Sequence, residues 1–246
     1  MNIKSKIKIL IFFLFLFCTQ IGAKEAKIII EKVNFDCDSI LVEIKANSTE
    51  TIQYILLTDT IMIVDVSNLN KDLFYSLSFE VEKYGFYNLC IDSVSLNKEL
   101  NLGELFFLER STCGDKTYVP NKNDTVRDFN DKIIQTGKFK KIKYKSGKFY
   151  QPYGKHESYF ETGVSVSQKR FYYDDFYSLV INYYKTGKIK SIGEKISGCK
   201  TGVWFFYDES MKNVFSITYD KYSSIRMTLN NYILFKDNYK NFNVNF

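Results

Sequence analysis

Four segments of this chain recur at a nearly constant step, and no other feature constrains the fold as tightly. "IIQTGK" starts at Ile133, "YFETGV" at Tyr159, "YYKTGK" at Tyr183 and "YDESMK" at Tyr207, giving steps of 26, 24 and 24 residues. Three of them share Thr-Gly, as Thr136-Gly137, Thr162-Gly163 and Thr186-Gly187; Ser210-Met211 stands there in the fourth. A second marker keeps the same phase: Gly154, Ser178 and Gly202 each lie five residues before Tyr159, Tyr183 and Tyr207. A period of this length marks a repeat array, whose units are too small to bury a core alone and must stack. Glycine reaches positive φ without steric cost, so "KTGK" between strand-like runs predicts a hairpin turn. Aromatic residues at a fixed offset from each turn then share one face of successive hairpins.

The third unit, "YYKTGKIKSIGEKISGCKTGVWFFY", resembles the bacterial variant of the MORN repeat. Tyr183, Gly187, Lys188, Gly193, Gly198, Gly202, Trp204 and Tyr207 occupy the positions of that pattern. The second unit keeps Tyr159 and Gly163 but lacks most of the glycines, and the last keeps Tyr207 and Lys212. The resemblance implies β-hairpins stacked along one axis over residues 132–246, an architecture that often serves as a protein-interaction surface. It also accounts for "GEKISGCKT", Gly193 to Thr201, which misses the phosphate-binding G-x-x-x-x-G-K-[ST] pattern by one residue. A phosphate loop needs a helix after it, and "GVWFFYDE" has the composition of a strand.

Residues 24–112 read as a separate run of short strands, a β-sandwich. In "LFYSLSFEVEKYG", Tyr75, Leu77, Phe79 and Val81 alternate with Ser76, Ser78, Glu80 and Glu82, the period of a sheet with one buried face. "KIIIEKVNF" places Ile29, Val33 and Phe35 on one parity. "YSLSFEVEKYGF" followed by "LNLGELFFLE" resembles the last strands of prealbumin-like, carboxypeptidase-regulatory-like sandwiches of secreted bacterial proteins; an immunoglobulin-like sandwich is the other reading. Residues 113–131, polar and holding Gly114 and Pro120, read as a linker. The fold class expected is all-β, a sandwich followed by a hairpin array.

The first 23 residues have the layout of a secretory signal peptide. Lys4, Lys6 and Lys8 precede the apolar run Ile9 to Phe17, which is too short to span a bilayer, and Ala23 offers a small residue before a cut. The expected product starts at Lys24 and is periplasmic or secreted. A lipid-anchored form cut before Cys18 is the alternative, disfavoured because Phe17 stands where a small side chain is required. Export permits disulfides, and one bridge is expected among Cys37, Cys90 and Cys113. With one histidine and no C-x-x-C pair, no metal site and no cofactor are expected.

Charge divides the chain. Residues 24–120 hold 9 basic and 16 acidic side chains, whereas residues 121–246 hold 22 and 12. The basic excess is densest in "KFKKIKYKSGKF", where Lys138, Lys140, Lys141, Lys143 and Lys145 interleave with aromatic residues. Alternation puts Lys138, Lys140, Ile142 and Tyr144 on one face, and Phe139, Lys141, Lys143 and Lys145 on the other. Such a stripe suits nucleic acid, but export points instead to an acidic protein, an anionic lipid headgroup or a polysaccharide. The plainer reading is an exposed strand whose solvated lysines blunt edge pairing. His156 has no nucleophile motif beside it and occupies the repeat position of Val180 and Trp204. Asp174-Asp175, Glu157 and Glu161 read as solvated turn or strand residues rather than a carboxylate pair. The sequence therefore predicts a non-enzymatic binding or scaffolding protein of the bacterial cell envelope. The alternatives are an immunity- or antitoxin-like interaction module, or an enzyme with a site between the two domains.

Overall fold

The computed structural model describes residues 26–34, 37, 39–46, 50–57, 61–81, 86–108, 125–144, 147–174, 176–220 and 224–242. The signal-like segment and most of residues 113–131 lie outside these. The first seven strands are β1 (Lys27–Val33), β2 (Ser39–Ala46), β3 (Glu50–Leu57), β4 (Met62–Asp65), β5 (Phe74–Val81), β6 (Asn88–Ser95) and β7 (Leu100–Leu105). Then come β8 (Thr125–Arg127), β9 (Ile133–Tyr144), β10 (Gly147–Tyr159), β11 (Val166–Tyr172), β12 (Tyr177–Tyr183) and β13 (Ile189–Ile196). The chain ends with β14 (Cys199–Tyr207), β15 (Asn213–Tyr219), β16 (Ser224–Thr228) and helix α1 (Leu229–Phe242). The all-β class expected from the alternating segments is what the chain adopts.

Two sheets form. A small one runs β4-β1-β7; the large one has thirteen strands in the order β3-β2-β5-β6-β16-β15-β14-β13-β12-β11-β10-β9-β8. Alternation works as expected in β5, where Tyr75, Leu77, Phe79 and Val81 are all buried. In β1 the parity is the other one: Ile28 and Ile30 are fully buried and Ile29 is not. The hairpin array does not stand apart from the sandwich. Strand β16 pairs in parallel with β6 over five residue pairs, Ser224↔Asn88 to Thr228↔Asp92, so the array returns and extends the sandwich sheet. Arg226 reaches across this seam to Asp92 at 2.7 Å.

Helix α1 closes the same seam, where the repeat reading placed only hairpins. Thr228 caps it, its Oγ1 accepting the Asn231 N–H at 3.2 Å. Leu229, Tyr232 and Phe235, spaced by three, give one apolar side, and Tyr232 and Phe235 are fully buried. Phe235 meets Phe215 of β15 edge-on at 5.6 Å. Tyr232 donates to the Glu104 carbonyl at 3.2 Å, and Lys236 to that of Leu102 at 2.9 Å, so the helix lies beside β7. The small sheet and α1 together form the second layer of the sandwich. One hydrophobic cluster runs from Ile28 and Leu77 through Phe235 to Trp204 and Val180.

The Thr-Gly turns form where glycine is needed. Gly163 (φ +72°) and Gly187 (φ +82°) close the β10–β11 and β12–β13 hairpins, with N–H bonds back to Phe160 and Tyr184 of 2.7 and 2.9 Å. The equivalent positions of the other two turns are Met211 (φ +68°) and Asp131 (φ +61°). No glycine is required there because Asp208 and Asp128 tie the loop: each carboxylate accepts the N–H two and four residues on, at 2.8–3.1 Å. Thr136-Gly137 is therefore not the first turn of the array. Gly137 lies inside β9, and the turn is Asp128 to Lys132, at the end of the stretch read as linker. Counted from Asp131, the steps are 32, 24 and 24 residues, so the first hairpin is eight residues longer than the others.

"GEKISGCKT" is the β13–β14 hairpin. Ser197 (φ +50°) and Gly198 (φ +85°) form a two-residue loop with both φ values positive, and Lys200 and Thr201 already belong to β14. The expected disulfide is corrected as well. Cys37 and Cys90 are thiols, Cys90 lying 3.4 Å from the Ser78 hydroxyl. Cys199 is the disulfide-bonded cysteine, its partner lying outside the described residues, as does Cys113.

Candidate anion-binding face

The eight extra residues of the first hairpin carry the lysine-rich stretch. Among the described residues, strand β8 pairs with β9 as far as Thr136, and β11 pairs with β10 between Gly154 and Tyr159. Beyond these limits Lys138–Tyr144 and Gly147–Tyr153 pair with each other, a two-stranded ribbon. Such a ribbon is marginal in water by itself, and among the described residues no strand pairs with either of its edges. Lys138, Lys140 and Lys141 are exposed on it. Lys143 lies on the same strand without a described side chain, and Lys145 is outside the described residues. No Asp or Glu occurs between Asp131 and Glu157.

The registers continue this bias onto the sheet. Strands β9 to β14 carry only two carboxylates, Glu157 and Glu194. Both face the same way: Glu157 stands opposite Thr136 and Lys169, and Glu194 opposite Leu179 and Thr201. Lys155 binds Glu157 at 2.7 Å and, with Lys169 at 3.8 Å, holds its carboxyl below the usual range. The other face is the one that continues from the core. Its cross-strand rows are His156–Arg170–Val180–Gly193, Gln168–Asn182–Ser191–Phe206 and Tyr172–Ser178–Lys195–Lys200. Phe139 and Lys141 extend it along the ribbon. This face thus carries Lys141, Arg170, Lys195 and Lys200 and none of the strands' carboxylates.

Several of its polar groups are held rigidly. Gln168 donates to the Asn182 Oδ1 and Asn182 to the Ser191 hydroxyl, both at 2.8 Å. Arg170 lies over the Tyr172 ring at 4.6 Å, with its Nε bonded to Ser178 at 2.9 Å. Lys200 lodges its Nζ 4.6 Å from the Trp204 ring and 5.4 Å from that of Tyr219. Burial, with Lys195 nearby, pushes its amine well below the ordinary lysine value; the ring faces act in the opposite direction.

His156 and Trp204 play one role in two units. Each follows a glycine of positive φ by two residues: Gly154 (φ +65°) and Gly202 (φ +63°), both at register shifts of their hairpins. Each ring covers a glycine on the neighbouring strand, Gly137 or Gly193, where an added Cβ would meet it at 2.1 and 2.3 Å. Each bonds the next carbonyl through a ring nitrogen, His156 Nε2 to Lys138 at 2.9 Å and Trp204 Nε1 to Glu194 at 3.0 Å. Both are buried, as is Val180 at the same position of the intervening unit. The indole covers Gly193 and meets Tyr219 edge-on at 6.4 Å, rather than resting on Tyr183 or Tyr207. Those two tyrosines and Tyr159 end strands β12, β14 and β10, one at each repeat.

The remaining sequence candidates stay apart. Asp174 accepts the Phe176 and Tyr177 N–H groups at 2.8 and 2.6 Å, which hold its carboxyl low, with Lys140 of the ribbon adding to the effect. Asp175 is outside the described residues, and Glu161 is exposed in the β10–β11 turn. A depression of about 250 Å³ between hairpin turns is lined by Phe160, Glu161, Thr162, Ser165 and Lys185, and brings together one carboxylate and one ammonium. Among the described residues, no three His, Cys, Asp or Glu side chains are grouped to hold a metal ion. The sequence reading found the ribbon lysines but missed Arg170, Gln168, Asn182 and Ser191. Their signal, polar residues at alternate positions of three consecutive strands, shows only once the register is known. Compared with known proteins, the chain matches no family model, no curated protein and no solved structure.

Proposed function

We propose that this protein is an exported, non-enzymatic binding or scaffolding protein of the bacterial cell envelope, and that it holds an anionic partner on the basic face of its hairpin array. The observation that carries the reading is the segregation of charge. Lys141, Arg170 and Lys195 share the face of β9 to β14 that holds none of those strands' carboxylates, while Glu157 and Glu194 point to the other. A surface of one sign concentrates and steers an oppositely charged partner. The MORN-like repeat supplies a scaffold of stacked hairpins that keeps the face in register. The seam between sandwich and array is filled by Phe215, Ile225, Met227, Tyr232 and Phe235, all buried, which favours a surface site over a cleft between domains.

The test is retention on an immobilised polyanion against salt. Lys141→Gln/Lys195→Gln should elute at clearly lower salt than the parent and show a shallower salt dependence. Equal elution of the two proteins refutes the reading. The ribbon's edges, which no described strand covers, also admit a partner protein by strand addition, as an interaction module of the immunity type would use. In that case capture would persist at high salt and in the lysine variant.

A further inference from the structure

We infer that two copies of this chain pair edge to edge through β3 and β4, at the edge of the large sheet opposite the hairpin array.

The open end exists in both layers of the sandwich. Strand β3 is the last strand of the thirteen-stranded sheet, and β4 is the last of the small one. The two edges lie side by side, for the Tyr54 hydroxyl of β3 donates to the Asp65 carbonyl of β4 at 3.2 Å. An edge strand turns the N–H and C=O groups of alternate residues outward, a template for a further strand. Among the described residues no strand pairs with that side of β3 or of β4.

The sequence leaves this end unguarded. Edge strands are normally blunted by lysine, proline, a bulge or shortness. Between Lys45 and Lys71 the chain holds no Lys, Arg, Pro or Gly, although Lys and Arg make up 34 of its 246 residues. Strand β3 pairs with β2 from Ser39↔Leu57 to Ala46↔Glu50 with no register shift, so no bulge bends the edge away. The end displays isoleucine instead of charge: Ile55 is 76% exposed, Ile61 62% and Ile63 56%. These side chains lie on the outer surfaces of the sandwich, because Tyr54, Leu56, Met62 and Val64 turn to the core. The other edge of the large sheet differs. Strand β8 has three residues, and the lysine-rich β9 follows it.

The two coincident edges select a second copy as the occupant. A peptide added as a strand covers one edge. Another copy, turned about a two-fold axis, covers both, β3 against β3 and β4 against β4. Charge permits this pairing. Each of the two strands carries one charged side chain, Glu50 or Asp65. In an antiparallel pair centred on Gln53, Glu50 stands opposite Leu56 of the other copy. The two Glu50 carboxylates are then about 20 Å apart at 3.4 Å or so per residue, beyond the screening length of about 8 Å at physiological ionic strength. Asp65 is already engaged, its Oδ1 accepting the Ser67 N–H at 2.9 Å. Each chain has one such end, so the assembly closes at two copies. The pairing does not depend on the anion-binding face. A dimer carries two such faces, which raises avidity for any partner long enough to reach both.

Sedimentation equilibrium tests this on the exported form, cut after Ala23, over a hundredfold range of micromolar concentrations. The mass should rise from one chain to two, equally at low and high salt, because the contact is nearly uncharged. Ile55→Lys/Ile63→Lys replaces two exposed side chains and places a cation at each edge, and should weaken association at least about tenfold. Phe129→Lys, at a 96% exposed position of the β8–β9 turn, should dimerise as the parent does. Emission from Trp204, the sole and buried tryptophan, shows whether each variant keeps its fold. A parent that stays monomeric throughout overturns the inference and leaves the edge to a strand of a different protein. A dimer that survives in Ile55→Lys/Ile63→Lys overturns it too. So does one that high salt disperses or Phe129→Lys abolishes, which would place the contact on the array.

Discussion

Replacing Gly193 by alanine should have opposite effects depending on whether Trp204 is present. In the parent, the new Cβ would stand 2.3–2.4 Å from three atoms of the indole. The ring must then leave its place or β13 must shift, and overpacking of this kind costs about 2–3 kcal/mol. The backbone itself tolerates alanine, because φ at Gly193 is not positive. Trp204→Ala alone removes a side chain that is 1% exposed and bonded to the Glu194 carbonyl. Burying a tryptophan takes about 150–250 Å² from water, about 4–6 kcal/mol at about 25 cal/mol/Å². Partial collapse of the site reduces the expected loss to about 3–5 kcal/mol. In that background the methyl of Gly193→Ala enters vacated space. It should stabilise by about 0.8 kcal/mol through burial, and by a further 0.5–1 kcal/mol or so from replacing a strand glycine. The two backgrounds should thus differ by at least about 3 kcal/mol, a strong pairwise coupling. Urea titrations of the four proteins, followed by far-ultraviolet circular dichroism, measure it. A Gly193→Ala cost in the parent below about 0.5 kcal/mol, or the same cost in both backgrounds, would refute the ring-over-glycine account.

Because α1 and β16 complete the sandwich, a chain ending at Thr228 should lose the cooperative unfolding of both regions, and the parent should show one transition; two separated transitions would contradict the shared core. Gly187→Val should cost at least about 1 kcal/mol, since φ there is +82°, and a neutral thermal melt would remove the turn from the argument. Thiol labelling of the unfolded, unreduced protein cut after Ala23 should modify Cys37 and Cys90 only, with a cross-linked peptide joining Cys199 to Cys113; labelling of Cys199 would overturn this. Lys200 is depressed in the folded state and titrates near about 10.4 when unfolded. Between those values the unfolded chain binds more protons, so stability should rise with pH, and Lys200→Met should flatten the rise. Above about pH 10 the buried hydroxyls of Tyr219 and Tyr232, raised in the fold, act oppositely, because unfolded tyrosines ionise first. Urea midpoints at pH 7, 8 and 9 for parent and variant provide the check, and equal slopes would show that Lys200 is not the source.

Local patterns in the chain were enough for everything that depends on near neighbours. Alternation in β5 named its buried residues, because side-chain direction in a strand repeats every two residues. Thr-Gly named the turns at Gly163 and Gly187, because positive φ is a property of a few consecutive residues. The repeat phase equated His156 with Trp204, and both proved to be rings laid over glycines. The tertiary structure decided what depends on residues distant in the chain. Gly137 looks like the turn glycines in sequence, yet it is the floor beneath His156, a role that exists only when β9 and β10 are in register. Parallel pairing of β16 with β6 joins residues 224–228 to 88–92, and no local rule prefers β6 to any other strand with the same alternation. The candidate face belongs to the same class. Lys141 was visible within a lysine-rich stretch, but the face's lack of carboxylates and its amides arise from register across six strands, each displaying only alternate residues to a given side.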